Sequence, residues 1–396
     1  MRFAFVAIMA IWLALAFVWT GAAQDAVPFG VAGRLLHDHP EDVYVAKDAG
    51  SAHAVRPRFK QASCVYYDTQ QECDETVVAF VSAPIALPLV VPLGWLDHHM
   101  SIAMRLIGAA AFVGAMAIAW RRLAGIHPRA PAALVATAAL LTPLVSFTIA
   151  IGQNAPLLFL AAMIPIADCS RGWKRWAAAA LVVVTAAFKV WPALVVGVLV
   201  AGRRKKLLAA IGWIVVGLTA LTALLAPAWI VRSFLEANAT TSHHTAELWN
   251  NGSLDAALFR LSVPVQLVGA LAWLIRAVVA PLLVRVYRVA PHDARWSFGW
   301  LAALLFFPQV WGHYLFVGVA AAAVAVAARP QGGSRIWVLP AAAAIAGFAG
   351  WLSTIGAPIV QCAAVIALLG LVSWTLATGA TEEEPELVAD LVLADA

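Results

Sequence analysis

Charged residues are scarce in this sequence. Of its 396 residues, 12% are charged and 63% are hydrophobic, whereas a soluble domain carries roughly 25% charged residues. A soluble fold has no interior large enough to bury so much apolar sequence. Runs of about 20 apolar residues recur along the whole chain, and runs of that length are typical of helices that cross a membrane. The composition therefore excludes an ordinary soluble protein and indicates a polytopic membrane protein.

The sequence also lacks the motifs of soluble catalysis. It has no glycine-rich phosphate loop, so direct use of a nucleotide is not expected. It has no paired C-x-x-C and no H-E-x-x-H, so we expect neither a metal site nor a cofactor. The adjacent pairs His98-His99 and His243-His244 would point about 100° apart on a helix and rarely share one ion. The net charge of +5 comes from short basic clusters between apolar runs, so no nucleic-acid partner is expected.

Cysteine is rare as well, with four residues in the chain. Cys169 and Cys362 lie in or beside apolar helices, where a thiol is usually inert. Cys64 and Cys73 share one long polar loop, nine positions apart. If that loop faces an oxidising compartment, a Cys64–Cys73 disulfide is predicted, with two unpaired thiols as the alternative.

The apolar runs predict an all-α fold, a polytopic transmembrane helical bundle of about 12 spans. We expect one membrane-embedded domain over residues 1–380 and an acidic, disordered cytoplasmic tail over 381–396. The first run is expected to be retained as a helix rather than cleaved as a signal peptide. Residues 79–95 contain three prolines, which suit a re-entrant or membrane-skimming element better than a span. The predicted spans are 3–20, 101–120, 132–150, 155–168, 176–187, 190–201, 207–228, 263–285, 297–308, 312–328, 336–352 and 357–378.

The basic residues predict the orientation of these spans. If the spans alternate in direction, the basic clusters all fall on one side, and the positive-inside rule makes that side cytoplasmic. Both termini are then cytoplasmic, in the inner (plasma) membrane. The opposite side receives two large loops, 21–78 and 229–262, and short turns that contain most of the polar residues near the membrane. The chemistry is therefore expected on the extracytoplasmic side.

Three ionisable residues on the outer side are candidates for chemistry. Asp25 comes soon after the first span, where a carboxylate can act as a general base on a hydroxyl or simply cap a helix. Lys189 lies between two apolar half-spans and either pairs with a phosphate or snorkels to the surface. His313 begins an apolar span and either donates to a phosphate oxygen or belongs to an interfacial aromatic belt with Trp311.

Other polar residues near the membrane are candidates for binding or for structural roles. Arg105 and Arg260, at the outer ends of spans, can hold an anionic headgroup or act as interfacial anchors. Ser253 follows a tight polar turn and is a candidate helix cap. Arg276 lies in the middle of a span, where an unpaired charge is costly, so it needs a carboxylate, a carbonyl or a water cavity.

The order of these pieces along the chain resembles glycosyltransferase family 87, in the C-type superfamily of polyprenyl-phosphate-sugar-dependent membrane transferases. The resemblance extends from about residue 20 to 325. Phe307 departs from it, because a serine is usual there, and residues 46–78 look like an insertion. The segments that carry the resemblance are Asp25 with a small-residue helix at 26–36, Tyr44, the proline run 83–92, Gly152-Gln153-Asn154, Lys189-Val190-Trp191-Pro192, Asn251-Gly252-Ser253-Leu254 and Pro308-Gln309-Val310-Trp311-Gly312-His313.

The resemblance implies a C-type glycosyltransferase architecture and an inverting displacement outside the membrane. The donor would be a polyprenyl-phosphate-linked hexose, mannose first, and the acceptor an envelope lipid or glycan. Asp25 would be the base and His313 the second catalytic residue, with no metal. The resemblance gives donor-phosphate binding to Lys189, Arg105 and Arg260. It gives substrate binding to Gln153, Asn154, Asn251, Ser253 and Trp311.

Two other functions compete with this reading. A transporter or lipid flippase fits about 12 spans and proline-interrupted segments, and Arg276 favours it. However, no convincing repeat relates the two halves, and the polar residues lie on one side. A non-catalytic subunit of an envelope polysaccharide complex would keep the fold without the activity, and the presence of both Asp25 and His313 argues against it.

Overall fold

The computed structural model shows a helical protein. It describes residues 1–19, 22–44, 55–67, 71, 73, 80, 82–96, 99–167, 172–188, 204–244, 251–307, 310–328, 333–352 and 357–378. Within these ranges the regular structure is helical, apart from one isolated bridge between Asn251 and Trp311. The predicted span 190–201 and the predicted tail 381–396 lie outside the described residues.

We number the described α-helices in chain order. The first eight are α1 (Arg2–Val18), α2 (Val27–Asp38), α3 (Pro57–Cys64), α4 (Leu87–Gly94), α5 (His99–Leu123), α6 (Ala130–Ala150), α7 (Ala155–Ala162) and α8 (Gly172–Phe188). The others are α9 (Lys205–Leu225), α10 (Ile230–His244), α11 (Leu254–Arg260), α12 (Val265–Val289), α13 (His292–Phe306), α14 (Phe316–Ala328), α15 (Val338–Leu352) and α16 (Pro358–Ala377). Short 3₁₀ turns precede α4, α14 and α15, at Pro84–Ala86, Gly312–Leu315 and Gly333–Trp337.

Six of the described helices are long and apolar enough to cross a membrane. They are α5, α6, α9, α12, α15 with the last residues of the turn before it, and α16. Shorter apolar helices occur at Arg2–Val18, Pro84–Gly94, Ala155–Ile166 and Gly312–Ala328. Helix α7 ends at Ala162 because Pro165 follows three residues later. The chain continues there as a 3₁₀ turn, Ile164–Ile166. The chain is therefore an all-helical membrane protein.

Helix α14 lies at the centre of the bundle. Its residues from Phe316 to Ala327 are all buried, and it packs against α7, α13, α15 and α16. Around it, small residues let helices approach closely, as is common in membrane bundles. A Cβ added at Gly347 of α15 would lie 2.5 Å from the Leu140 carbonyl oxygen of α6. Glycine at this position therefore allows α15 and α6 to pack backbone against backbone.

The two large predicted outer loops are partly helical. Loop 21–78 contains α2 and α3, and loop 229–262 contains α10 and α11. Helix α2 packs against α4 through glycine, since a Cβ at Gly33 would lie 2.9 Å from the Val90 carbonyl carbon. Residues 79–95 do not form a long helix, and the Pro84–Ala86 turn and α4 together make a short element beside α2. The prolines limit this element, as the sequence indicated.

The end of α3 is linked covalently to residue 73. Cys64 and Cys73 form a disulfide in the structure, with 5.2 Å between their Cα atoms. Cys362 is a buried free thiol in α16, and Cys169 lies outside the described residues. The disulfide closes a short loop next to α2, which α3 contacts.

Contacts at the two ends of the bundle agree with helices that alternate in direction. At one end, the Arg204 guanidinium donates to the Asp293 carboxylate, and Arg335 donates to the Thr378 carbonyl at 3.2 Å. At the other end, Tyr44 donates to the Ser82 carbonyl at 2.9 Å. Arg204, Asp293, Arg335 and Thr378 are all predicted to lie on the cytoplasmic side, and Tyr44 lies in a predicted extracytoplasmic loop.

Candidate functional site

Asp25 lies between α1 and α2 and is half-buried. Its backbone N–H donates to the Ile151 carbonyl at 2.9 Å. Its Oδ2 accepts a hydrogen bond from the Gln153 side-chain amide at 2.6 Å. The Gln153 Oε1 in turn accepts from the Asn154 backbone N–H at 2.9 Å. The structure thus brings the segment between α1 and α2 and the Gly152-Gln153-Asn154 turn together around one carboxylate.

Gly152 makes this approach possible. Its φ is +67°, in the left-handed region that glycine adopts without strain. A Cβ at this position would lie 2.6 Å from the Cβ of Ala23 and 3.1 Å from that of Ala26. Any larger residue would therefore separate the α6–α7 turn from the segment that carries Asp25.

Arg105 of α5 connects the helix ends beside Asp25. It is 4% exposed. Its Nε and Nη2 donate to the Ala150 carbonyl at 3.1 and 3.0 Å, and its Nη1 donates to the Trp19 carbonyl at 2.6 Å. The guanidinium therefore bonds the carbonyl ends of α1 and α6, which positions the segments on either side of Asp25. A direct role in binding donor phosphate stays a prediction.

Asn251 and Trp311 form a second constellation. The fully buried Asn251 accepts through Oδ1 from the backbone N–H of Val310 at 2.9 Å and of Ser253 at 3.1 Å. The Gly252 N–H donates to the Val310 carbonyl at 2.5 Å. Ser253 caps α11, because its Oγ accepts from the Ala256 N–H at 3.2 Å. Two turns that are far apart in sequence therefore form one hydrogen-bonded unit.

His313 lies in the 3₁₀ turn directly after this unit and is 6% exposed. Its ring stands edge-on to Tyr314, with 4.8 Å between the ring centroids. Its position next to Trp311 is thus fixed by the Asn251 contacts and by packing. The structure buries His313, whereas an interfacial belt residue would be exposed.

Helix α7 connects the Asp25 and Asn251 constellations. Asn154 immediately precedes α7, and α7 packs against the 3₁₀ turn Gly312–Leu315 that contains His313. Phe316, the next residue, has its ring centroid 4.5 Å from that of Phe112 and 5.7 Å from that of Phe159 in α7. Both constellations are therefore connected through one short helix.

The remaining predicted cations differ in position. Arg260 is exposed at the end of α11, with its guanidinium 5.7 Å from the Phe259 ring centroid. Lys189 lies outside the described residues, but its neighbour Phe188 packs against Phe29 of α2, with 4.9 Å between the ring centroids. The structure does not bring Arg260 to Asp25 through any described contact.

Arg276 is paired with Asp255. It is 3% exposed, and its guanidinium donates to both Asp255 carboxylate oxygens and, through Nε, to the Leu305 carbonyl at 3.0 Å. Asp255 begins α11 directly after the Ser253 cap. The mid-span charge thus has the carboxylate and the carbonyl that the sequence required. Asp255 is therefore part of a structural ion pair.

A groove of about 1010 Å³ lies elsewhere on the outer segment, between α2, α4 and the end of α9. At its edge, His39, Glu41 and Asp42 are the described residues placed close enough together to hold a metal ion. However, Arg58 lies 3.0 Å from His39 Nδ1 and 3.5 Å from a carboxylate oxygen of each acid. The guanidinium supplies the positive charge there, so the group serves as an ion-pair cluster.

Tyr44 fixes the same segment to α8. Burial raises the pKa of its phenol well above the usual value of 10, so the hydroxyl stays protonated and donates to the Ser82 carbonyl. Ser82 in turn donates through Oγ to the Phe188 carbonyl at 3.2 Å. This chain of bonds holds the outer segment against the end of α8.

Two residues at the site were not identified from the sequence. Ser101 accepts through Oγ from the Ala23 N–H at 3.1 Å, two residues before Asp25. Gln361 is fully buried in the first turn of α16 and packs against Gly252. Its signal in the sequence is a lone amide in an apolar run, near the start of the predicted span 357–378.

Comparison with known proteins gives one match. A family model described as glycosyltransferase family 87 matches residues 80–310, more than half of the chain. The matched range includes the Gly152-Gln153-Asn154 turn and Asn251, and it ends at Val310, just before Trp311 and His313. No curated protein and no solved structure matches the chain.

Proposed function

Since this chain belongs to glycosyltransferase family 87 and is therefore a glycosyltransferase, we propose that it transfers a hexose from a polyprenyl-phosphate donor to an envelope lipid or glycan. Mannose is the first candidate sugar. The transfer takes place on the extracytoplasmic side of the plasma membrane. The observation that carries the proposal is the Asp25 carboxylate, which a glutamine amide from another turn orients at the outer end of the bundle.

The proposed reaction is a single inverting displacement. Asp25 accepts the proton of an acceptor hydroxyl while that oxygen attacks the anomeric carbon. The bond from the anomeric carbon to the phosphate oxygen breaks, and polyprenyl phosphate leaves with the electron pair. His313 and the cations Lys189, Arg105 and Arg260 stabilise the phosphate charge, either by direct contact or by orienting the groups around it.

The proposed topology places this reaction outside. It has about 12 crossings in the C-type arrangement, with both termini in the cytoplasm. It is supported by the basic clusters of the sequence and by the Arg204–Asp293 and Arg335–Thr378 contacts, which join ends on the same predicted side. Gln153, Asn154, Asn251, Ser253 and Trp311 are the proposed substrate-binding residues.

The test is transfer of radiolabelled mannose from polyprenyl phosphate in membranes with and without this protein. Asp25→Asn keeps the size and polarity of the side chain but removes the proton acceptor. We expect it to lower the transfer rate by about 100- to 10,000-fold, with normal amounts of protein in the membrane. Asp38→Asn is the control, because Asp38 is an exposed carboxylate in the same segment, paired with His37. Full activity in Asp25→Asn would remove Asp25 from the mechanism.

A further inference from the structure

Two buried carboxamides at the outer end of the bundle stand out by their hydrogen bonding. Asn154 is 4% exposed and Gln361 is fully buried. Among the residues that the structure describes, neither side chain has a hydrogen-bond partner for its nitrogen or its oxygen. Buried polar atoms are nearly always hydrogen-bonded, and exceptions need an explanation such as a ligand that supplies the partner. Each of these two amides therefore calls for an explanation.

Gln361 faces the unit formed by Asn251 and Trp311. It lies in the first turn of α16, and a Cβ added at Gly252 would lie 3.0 Å from the Gln361 Cδ and closer still to its Oε1. Gly252 is the residue whose N–H donates to Val310. The absence of a side chain at position 252 therefore leaves the space that the Gln361 amide occupies.

Asn154 stands next to the residue that orients Asp25. It occupies the cap position of α7, where asparagine commonly accepts a hydrogen bond from the first turn. Its side chain makes no such cap bond here, although Ser253 does so at the start of α11. The Asn154 amide is thus available for another partner, one residue from Gln153.

One element contacts the helices of both amides. The 3₁₀ turn Gly312–Leu315, which contains His313, packs against α7 and against α16. Asn154 precedes α7, and Gln361 lies in the first turn of α16. The two amides therefore lie at the starts of two helices that both contact the turn carrying the second proposed catalytic residue.

We propose that Asn154 and Gln361 bind the hydroxyl groups of a sugar ring. A carboxamide presents an N–H donor and a carbonyl acceptor on one planar end, which suits hydroxyls that both donate and accept. A phosphate would use only the N–H groups and leave both carbonyls unpaired. The inference rests on the proposed function and extends it, since Gln361 lies beyond the residues matched to the family. The ring belongs either to the transferred sugar of the donor or to a sugar of the acceptor.

The test uses variants that keep shape and remove polarity, Gln361→Met and Asn154→Leu, in the full-length protein. If the amides are unpaired within the folded protein, the Tm without substrate should be unchanged or higher in both variants. The kcat/KM for transfer should fall by about 10-fold in each, because one or two hydrogen bonds to the substrate are lost. Thr375→Val is the matched control, since Thr375 is also buried in α16 but donates to the Leu371 carbonyl at 2.8 Å. It should lower the Tm slightly and leave transfer unchanged.

Separate titrations of donor and acceptor identify the sugar. A rise in KM for polyprenyl-phosphate mannose assigns the amides to the transferred sugar, and a rise confined to the acceptor assigns them to the acceptor. A Tm for Gln361→Met below that of Thr375→Val would overturn the inference, because it would show an amide bonded within the protein. Unchanged kcat/KM in both variants would overturn it too.

A binding measurement distinguishes a failure of the sugar site from a failure of the proposed transfer reaction. If the wild-type protein transfers no mannose, the Tm is measured with polyprenyl-phosphate mannose and with polyprenyl-phosphate arabinose. A rise in the wild-type Tm that Gln361→Met abolishes supports the sugar site even though the proposed transfer has failed. No rise with either lipid would overturn the sugar site as well.

Discussion

At the scale of the residue, the catalytic proposal depends on how Asp25 is held. Its partner Gln153 is 128 residues away in sequence, and the bond between them is 2.6 Å long. A base that is already oriented needs less ordering when the acceptor hydroxyl arrives. Gly152 and Ser101 act on the same segment, one by its positive φ and the other by its bond to Ala23. Asp25 is therefore the centre of a small hydrogen-bonded network.

His313 should be separable from Asp25 by its dependence on the leaving group. We expect His313→Ala to lower kcat by about 100- to 1,000-fold if His313 stabilises the departing phosphate. A donor with a better leaving group, polyprenyl-diphosphate mannose, should then partly restore the His313→Ala rate. It should not restore Asp25→Asn, which lacks the proton acceptor for any hydroxyl.

The measurement for His313 is single-turnover transfer by purified protein with the two donors. His292→Ala is the control, because His292 is a half-exposed histidine at the opposite end of the bundle. Equal rates for both donors in His313→Ala would contradict a role in leaving-group stabilisation and would leave His313 as a packing residue beside Tyr314.

Local signals explain which site residues the sequence predicted. Ser253 was predicted as a helix cap because a cap depends only on the three or four residues that follow, and the structure has that cap. Pairings such as Asp25 with Gln153, and the positions of Ser101 and Gln361, depend on how distant helices pack. No pattern within one segment specifies such contacts, so the sequence indicated Asp25 and Gln153 separately but could not pair them, and it did not indicate Ser101 or Gln361.

At the scale of the element, the Asp255–Arg276 pair links α11 to the middle of α12. Both charges lie in or near an apolar bundle, so breaking the pair leaves one charge without compensation. We expect Asp255→Asn or Arg276→Met alone to destabilise the protein by about 3–5 kcal/mol. The double variant should recover much of this loss, because two neutral side chains carry no desolvation penalty. Thermal unfolding in detergent of the wild-type protein, the two single variants and the double variant gives the coupling free energy between the two charges.

If the losses in the double variant were additive, the two charges would not interact, which would contradict this prediction.

The same ion pair also bears on the alternative that the protein is a transporter. Arg276 was the residue that favoured a transporter, and its bonds to Asp255 and to the Leu305 carbonyl account for it as a structural charge. A transporter is therefore not favoured by the described residues.

The positions of the long helices follow the apolar runs of the sequence closely. The helices within the predicted outer loops do not coincide with long apolar runs. The predicted span 101–120 is α5, His99–Leu123, and the predicted span 357–378 is α16. The small-residue helix at 26–36, which came from the family resemblance and not from a long apolar run, is α2, and most of its residues are buried against neighbours. Its stability comes from packing on α4 through Gly33 and on α3, contacts that hydropathy does not encode.

At the scale of the whole molecule, the predicted number of spans exceeds the number of long helices among the described residues. Hydropathy counts apolar runs, whereas Pro165 and the turn before α14 divide apolar runs into shorter pieces. Helix α14 shows a second effect, since it is buried by protein on all sides. An apolar run in this chain therefore marks either a crossing or a packed central helix, and composition alone does not separate them.

The proposed transfer requires that the site lie on the extracytoplasmic side of the membrane, where the polyprenyl-phosphate donor can reach it. The topology of the protein can be tested by labelling. A cysteine introduced at position 61 and one introduced at position 125 should report opposite sides of the membrane. Gln61 and Gly125 are both exposed, and Gly125 has open space for a side chain. The positive-inside rule places Gly125, between Arg122 and Arg129, in the cytoplasm. We expect a membrane-impermeant maleimide to label Gln61→Cys in intact cells and Gly125→Cys only after lysis. The wild-type protein measures the background from the four native cysteines, of which Cys64 and Cys73 are bonded and Cys362 is buried, while Cys169 lies outside the described residues. The reverse labelling pattern would place Asp25 and His313 on the cytoplasmic side, and the proposed extracytoplasmic transfer would then be wrong.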